Sequence, residues 1–163
     1  MMIHRVKLNL SLVDGELAVD PQSPLWRKSN KYKAGGKFVF NKQDNMMDRS
    51  DRHLVEFVIH KDGTGLNLQF PTEKANAFWV IPAKDINSCP ESSEGCDYST
   101  IRPREVKTDN KGQRDTLIVE NDNFEVADWA FSLNFVASGA DQSGAGDLVR
   151  WDPITQNQNG GSN

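Results

Sequence analysis

Apolar and polar residues alternate along much of this chain, and this period of two constrains the fold more than any other feature. Residues 4–12 place His4, Val6 and Leu8 on one parity, with polar residues between them. Residues 129–136 repeat the pattern with aromatic side chains. Because successive side chains of a strand point to opposite faces, both segments are predicted to be half-buried strands.

No long window of the sequence has helical periodicity, and short strand-like runs recur from one end to the other. This spacing is typical of a sandwich or a small barrel. The sequence therefore predicts an all-β fold: an antiparallel two-sheet β-sandwich of immunoglobulin-like or jelly-roll-like type, whose C-terminal strand carries an Asp-Pro bond.

Turn residues between the runs predict which strands form hairpins. The predicted hairpins join residues 4–12 to 16–19 through Asp14-Gly15, residues 53–60 to 66–70, residues 101–107 to 116–120, and residues 129–136 to 148–152. The bonds Asp20-Pro21 and Asp152-Pro153 are expected to end strands, because proline has no N–H group for a ladder.

The chain length and the distribution of charge limit the domain count and the partners. At 163 residues the chain is as long as one domain, and we expect a sandwich over residues 1–153 and a polar tail over residues 154–163. The net charge is -4, and Lys and Arg are scattered, so nucleic acid is excluded as a partner. No segment resembles a signal peptide or a membrane span, which predicts a soluble, cytoplasmic protein without a membrane partner.

The common catalytic and metal-binding motifs are absent from the sequence. There is no Gly-rich phosphate loop, no Gly-x-Ser-x-Gly and no His-Glu-x-x-His. His4, His53 and His60 are dispersed and are expected at the surface or satisfied in the core, so neither a cofactor nor a metal site is predicted. Cys89 and Cys96 share one loop and are either two reduced thiols or a short-loop disulfide.

The bond Asp152-Pro153 is chemically fragile, and this gives it a possible role of its own. Its leaving group is a secondary amine, and the Asp carboxyl can attack its own main-chain carbonyl or activate a water. In a hairpin of the last two strands, Arg150 and Asp152 point away from the core. Antiparallel pairing then sets Ser132 or Asn134 opposite Asp152, and these two residues are candidates to orient the carboxylate.

Three segments of the second half of the chain, from about Phe78 onward, carry a family resemblance. They are Thr116-Leu117-Ile118-Val119, Trp129-x-Phe131-x-Leu133-x-Phe135 and Arg150-Trp151-Asp152-Pro153-Ile154 with a Gly- and Asn-rich end. Together they resemble the DP-EP family of small bacterial proteins, which are β-sandwiches described as self-cleaving and self-assembling endopeptidases. The resemblance implies that the chain is cut after Asp152, that Pro153 begins a fragment that stays bound, and that the protein forms a homo-oligomer.

Two classes of function remain open from the sequence. The leading hypothesis is an autocatalytic, aspartate-dependent endopeptidase that cuts its own Asp152-Pro153 bond once. The alternative is a non-catalytic sandwich that assembles with itself or binds a ligand through edge strands and exposed aromatic residues. A row of exposed aromatic residues would favour a carbohydrate-binding module, although Trp79, Trp129 and Phe131 are expected in the core.

Overall fold

The computed structural model describes residues 2–23, 25–28, 36–40, 52–82, 92–122, 127–137, 148–152 and 154–157. About two thirds of these residues lie in strands, which confirms the all-β prediction, and the helix among them is very short. The elements are β1 (Met2–Val13), β2 (Glu16–Gln22), β3 (Trp26–Lys28), β4 (Gly36–Phe40), β5 (His53–Asp62), β6 (Leu68–Gln69), α1 (Lys74–Ala77), β7 (Phe78–Pro82), β8 (Ile101–Lys107), β9 (Thr116–Asn121), β10 (Ala127–Ala137), β11 (Leu148–Trp151) and β12 (Ile154–Asn157). No helix among the described residues is long and apolar enough to cross a membrane.

The strands form two sheets that face each other across a single core. The first sheet has the order β2-β1-β5-β9-β8. In the second sheet, β11 and β12 pair one after the other with the same edge of β10, and β4 and β3 follow β12. β6 and β7 pair with the opposite edge of β10. Two pairings are parallel, β1 with β5 and β12 with β4, so the predicted purely antiparallel arrangement is wrong and both sheets are mixed.

Three of the predicted hairpins are confirmed by the register of their strands. They are β1 with β2, β8 with β9, and β10 with β11. Asp14 and Gly15 both have positive φ, at 52° and 78°, as the tight turn between β1 and β2 requires. However, β2 does not end at Asp20-Pro21. It continues to Gln22, because β2 lies at the edge of its sheet, where a proline is tolerated.

The predicted hairpin of residues 53–60 with 66–70 is wrong. Both edges of β5 are already occupied, by β1 and by β9, so no edge is left for a returning strand. The carboxylate of Asp62 accepts hydrogen bonds from the backbone N–H groups of Thr64 at 2.9 Å and Leu68 at 2.6 Å. These bonds turn the chain toward the second sheet, where β6 pairs with β10.

The segment predicted as the start of a polar tail contains a strand. β12 pairs antiparallel with β10 on one edge and parallel with β4 on the other. Among the described strands, β12 alone joins β4 and β3 to the rest of the second sheet. The sandwich therefore extends past residue 153, and its C-terminal strand is internal to a sheet.

Aromatic side chains from both sheets fill the core. The ring of Phe131 on β10 lies 5.3 Å from that of Phe78, 5.9 Å from that of Phe38 and 6.1 Å from that of Phe57. Trp129 belongs to the same cluster, as expected. The first sheet contributes the inward residues of its three central strands, which are Val6, Leu8, Leu10, Val55, Phe57, Leu117 and Val119.

Replacing Phe131 with alanine tests whether this cluster is the centre of the core. Because the four rings cannot collapse into the space left behind, Phe131→Ala is expected to lower the free energy of unfolding by about 3–5 kcal/mol. Urea unfolding measures the change. Leu12→Ala, at an exposed position of β1, is the control and should cost less than about 0.5 kcal/mol. A loss below about 1 kcal/mol for Phe131→Ala would contradict this description of the core.

Candidate functional site

The strands β11 and β12 form one interrupted ladder along β10. Trp151 pairs with Leu133 before the interruption, and Ile154 pairs with Ala130 after it. The register is the same on both sides, so no residue is inserted or lost. Continuing this register sets Asp152 opposite Ser132 on β10.

The residues before the Asp-Pro bond alternate between the core and the outer face of the second sheet. Trp151 is buried, and its ring lies 5.2 Å from that of Trp26. Arg150, which pairs with Asn134, is exposed on the outer face. Asp152 is exposed as well, so solvent reaches its carboxylate. Pro153, the predicted residue on the other side of the bond, lies outside the described residues.

Ser132 and Asn134 form a buried polar pair on the outer face of β10. The Ser132 hydroxyl donates to the side-chain oxygen of Asn134 at 2.5 Å. The Asn134 amide in turn donates to the backbone carbonyl oxygen of Asn76, just before the end of α1, at 2.8 Å. Both side chains are fully buried, so these bonds compensate the loss of water. The Ser132 proton is committed to Asn134, which leaves the hydroxyl oxygen able to accept.

Trp79 lies beside this pair, because it is the register partner of Ser132 on β7. It is 2% exposed, but it is not part of the central core cluster that contains Trp129. The guanidinium carbon of Arg150 lies 5.9 Å from the centre of the Trp79 ring, a distance at which a cation–π interaction is favourable. The Trp79 Nε1–H group has no hydrogen-bond partner. Arg150 on β11 thus contacts Trp79 on β7 across β10, two residues before Asp152.

Alternation alone predicted part of this site. It set Arg150 and Asp152 on the outer face, and the observed positions of Arg150, Trp151 and Asp152 agree with it. The contact of Arg150 with Trp79 was missed, because β7 and β10 are far apart in sequence and nothing indicates their pairing. The bond from Asn134 to Asn76 was missed for the same reason. The catalytic roles of Ser132 and Asn134 remain predictions.

A second polar cluster lies between the two sheets. His4 and His53, which are dispersed in the sequence, come together because the first residues of β1 and β5 pair in parallel. Their facing nitrogens, Nε2 of His4 and Nδ1 of His53, are 2.7 Å apart, and the rings are stacked. No group of three or more His, Cys, Asp or Glu side chains that could hold a metal ion occurs in the part of the chain that the structure describes.

The cysteine loop is described only in its second half. Cys96 is a free thiol, and its sulfur lies 3.6 Å from the backbone carbonyl oxygen of Ser92. Cys89 lies outside the described residues, so whether the two thiols ever pair stays a prediction. All four tryptophans are described and none is exposed, which gives no support to a tryptophan-based carbohydrate-binding face.

Comparison with protein-family models and with curated proteins finds no match to this chain. The function must therefore be argued from the residues and their arrangement.

The buried pair of Ser132 and Asn134 is expected to stabilise the fold as a unit, because the two side chains share one hydrogen bond. Asn134→Ala removes the partner of both Ser132 and the Asn76 carbonyl, so it should lower the free energy of unfolding by about 3 kcal/mol, whereas Ser132→Ala should cost about 1 kcal/mol. The double variant should cost less than the sum, because the two residues share one bond. Urea unfolding of the three variants measures this coupling. Equal and additive losses would show that the two side chains act independently.

Proposed function

We propose that this protein cuts its own chain between Asp152 and Pro153. The observation that carries the proposal is the interrupted ladder: β11 and β12 keep one register along β10, and the interruption falls at the Asp-Pro bond. A break there separates two strands that each keep their own backbone partners. The chain can therefore be cut at this bond without dismantling the sheet, which is what a protein that cleaves itself once and remains folded requires.

The first route uses the side chain of Asp152 as the nucleophile. One carboxylate oxygen attacks the main-chain carbonyl carbon of the same residue, and a five-membered cyclic anhydride closes as the C–N bond to Pro153 breaks. The proline nitrogen takes up a proton and leaves as a secondary amine. Water then opens the anhydride and restores two carboxyl groups on Asp152, so one water is consumed overall. Because the attack is intramolecular, its effective concentration is high.

The second route uses the same carboxylate as a general base. It takes a proton from a water that attacks the carbonyl carbon, and the tetrahedral intermediate breaks down with loss of the proline amine. Both routes need water and a proton donor near the bond. The exposure of Asp152 supports either one, since solvent can supply both.

Ser132 and Asn134 are proposed to position Asp152 or an attacking water. The Ser132 oxygen is oriented by its bond to Asn134, and Asn134 is fixed by the Asn76 carbonyl. In this arrangement Ser132 can accept a hydrogen bond but has no proton free for the leaving nitrogen. We therefore assign Ser132 to orientation rather than to proton donation.

The C-terminal fragment is proposed to remain bound after the cut. Residues 154–157 hydrogen-bond as β12 to β10 on one edge and to β4 on the other. Each backbone hydrogen bond contributes about 0.5–1.5 kcal/mol net, and both ladders would have to break together for the fragment to leave.

Membership of the DP-EP family, and an immunoglobulin-like or jelly-roll-like type of sandwich, are parts of the same proposal. They are supported by two facing sheets, a shared core and a C-terminal strand inside a sheet. Of the described residues that carry the family resemblance, all but Asp152 lie in β9, β10, β11 and β12.

Self-assembly into a homo-oligomer is the second candidate function, compatible with the first. β2 lies at the edge of the first sheet, and its outer side has no strand partner among the described residues. Unpaired edges of this kind pair readily with another chain. The exposed apolar side chains of Leu12 and Val13 lie at the end of the same hairpin. Sedimentation velocity over a wide concentration range tests the proposal, and a monomer throughout would contradict it.

Cleavage is tested most simply by intact mass spectrometry of the purified chain over days at mildly acid to neutral pH. We expect a fragment that ends at Asp152 and a complementary one that begins at Pro153. Asp152→Asn removes the nucleophile or base and should slow the cut by at least about 100-fold. Persistence of the full-length wild-type chain as the sole species would overturn the proposal.

The bond Asp20-Pro21 of the same chain is the control for cleavage at Asp152-Pro153. This bond lies inside the regular strand β2, and the Asp20 carboxylate accepts a hydrogen bond from the Gln22 side chain at 2.9 Å. We expect no fragment ending at Asp20, and Asp20→Asn should leave the cut at Asp152 unchanged. Equal cutting at both bonds would indicate ordinary Asp-Pro hydrolysis without a dedicated site. Loss of the tail from Asp152→Asn at the wild-type rate would implicate an outside protease.

A further inference from the structure

His4 and His53 form a hydrogen-bonded pair inside the sandwich. The Nε2 atom of His4 lies 2.7 Å from the Nδ1 atom of His53, and the ring centres are 5.0 Å apart. His53 is 3% exposed, and its second nitrogen, Nε2, has no hydrogen-bond partner. The pair thus has one hydrogen bond between its two rings, and Nε2 of His53 has no hydrogen-bond partner.

The distance between the two ring nitrogens fits best with both histidine rings being neutral. A 2.7 Å contact between two ring nitrogens requires one hydrogen between them, so one ring donates and the other accepts. If both rings are protonated, two N–H groups face each other and the bond is lost. If His53 is the protonated ring, its positive charge must be accommodated at a buried position between the sheets.

No acidic side chain in the described strands faces the pair. Its neighbours on the inward faces of these strands are Val55 on β5, Asn121 on β9, Ile101 on β8 and Phe40 on β4. Charged side chains of these strands and of the residues just beside them form ion pairs on the outer face: Arg5 with Glu56, and Arg52 with Glu120 and Asp122. The amino group of the N-terminus adds a positive charge that opposes protonation of His53.

Phe40 connects the histidine pair to the C-terminal strand. Its ring lies 5.0 Å from that of His53 and 6.2 Å from that of His4. Phe40 is also the last residue of β4 and the register partner of Asn157, the last residue of β12. The packing of the histidine pair against Phe40 therefore supports the end of the ladder that holds β12.

We propose that the His4–His53 pair is an acid-sensitive latch on the C-terminal strand. Protonation of both rings breaks the bond between them, Phe40 loses its packing partner, and the ladder between β4 and β12 opens from its far end. This inference rests on the proposed self-cleavage for its consequence, because a cut chain would then release the fragment that begins at Pro153. The loosening of β12 itself does not require a cut.

The pKa shifts fix the direction of the effect. Burial, followed by the positive charges of His4 and the N-terminus, lowers the pKa of His53 from 6.5 to about 4, and burial lowers that of His4. Since the folded pKa lies below the unfolded one, the latch is fully closed above pH 6.5 and weakens as the pH falls toward 4. Each unit of difference corresponds to about a tenfold change in the equilibrium between closed and open ends.

Hydrogen–deuterium exchange of the uncut Asp152→Ala chain tests the latch separately from the cut. Between pH 7 and pH 4.5, after correction for intrinsic exchange, peptides that cover β12 and β4 should lose at least about tenfold more protection than residues 105–107 and 116–118, the end of the β8–β9 hairpin away from the pair. His53→Asn keeps an acceptor near the position of Nδ1 but does not titrate, so the difference should vanish in that variant. His4→Asn should have the same effect at a half-buried site that tolerates change better.

His60→Gln is the matched control, since His60 lies exposed on the same strand as His53. This variant should behave as the parent chain does. Equal loss of protection in β12 and in residues 105–107 and 116–118 of the β8–β9 hairpin would overturn the latch, as would an unchanged difference in both His53→Asn and His4→Asn. In cut wild-type protein, gel filtration should then show the fragment bound at pH 7 and released at pH 4.5. Failure of cleavage leaves the exchange experiment intact, so the two proposals fail independently.

Discussion

The second sheet depends on the backbone hydrogen bonds of one short strand. β12 lies between β10 and β4, and among the described strands it is the one that connects β4 and β3 to the rest of the sheet. Because both of its edges are paired, β12 is held by its neighbours as well as by the covalent bond to Asp152. This explains how an Asp-Pro bond can stand just before an essential strand. Under the proposed function, a break in the chain would fall where the ladder is already interrupted.

Sequence reasoning succeeded where an element is specified by its own residues. The alternation of β1 and β10 and the Asp14-Gly15 turn are local signals, and each predicted its structure correctly. It failed where a tertiary partner decides the outcome. The returning run at Leu68 alternates as a hairpin strand should, yet it pairs with β10 because both edges of β5 are occupied. No local pattern reports which edges of a strand are free.

In the candidate site, too, the sequence predicted the features that local residues specify and missed those that depend on tertiary partners. Antiparallel parity was sufficient to set Arg150 and Asp152 on the outer face of the second sheet. It did not reveal β12, because Ile154–Asn157 follows a proline and is largely polar, and both features suggested a tail. Alternation gave no signal for β12 either, because Ile154 has the parity of Arg150 and Asp152 rather than the apolar parity of Val149 and Trp151. The histidine pair likewise had no local signal, because it forms only when the distant strands β1 and β5 lie parallel.

The apolar and the polar groups of the site lie on opposite faces of the second sheet. On the inner face, Trp151 packs into the aromatic core and fixes the last residues before the bond. On the outer face, Ser132 and Asn134 satisfy each other and leave one oriented oxygen beneath the solvent-exposed end of β11. An inner face packed into the core and a solvent-exposed Asp152 on the outer face are what the proposed intramolecular reaction needs, because the reacting groups are held in place while water remains available.

The proposed cut is made by the chain on itself, and the dependence of the cleavage rate on protein concentration tests this most directly. An intramolecular reaction is first order, so the fraction cut at a given time should be the same when the protein is diluted over about two orders of magnitude. Quantitative mass spectrometry of a dilution series, with all samples taken from one preparation, provides the measurement. Identical half-times for the appearance of the fragment ending at Asp152 are predicted. A rate that falls in proportion to dilution would contradict self-cleavage and assign the cut to another molecule.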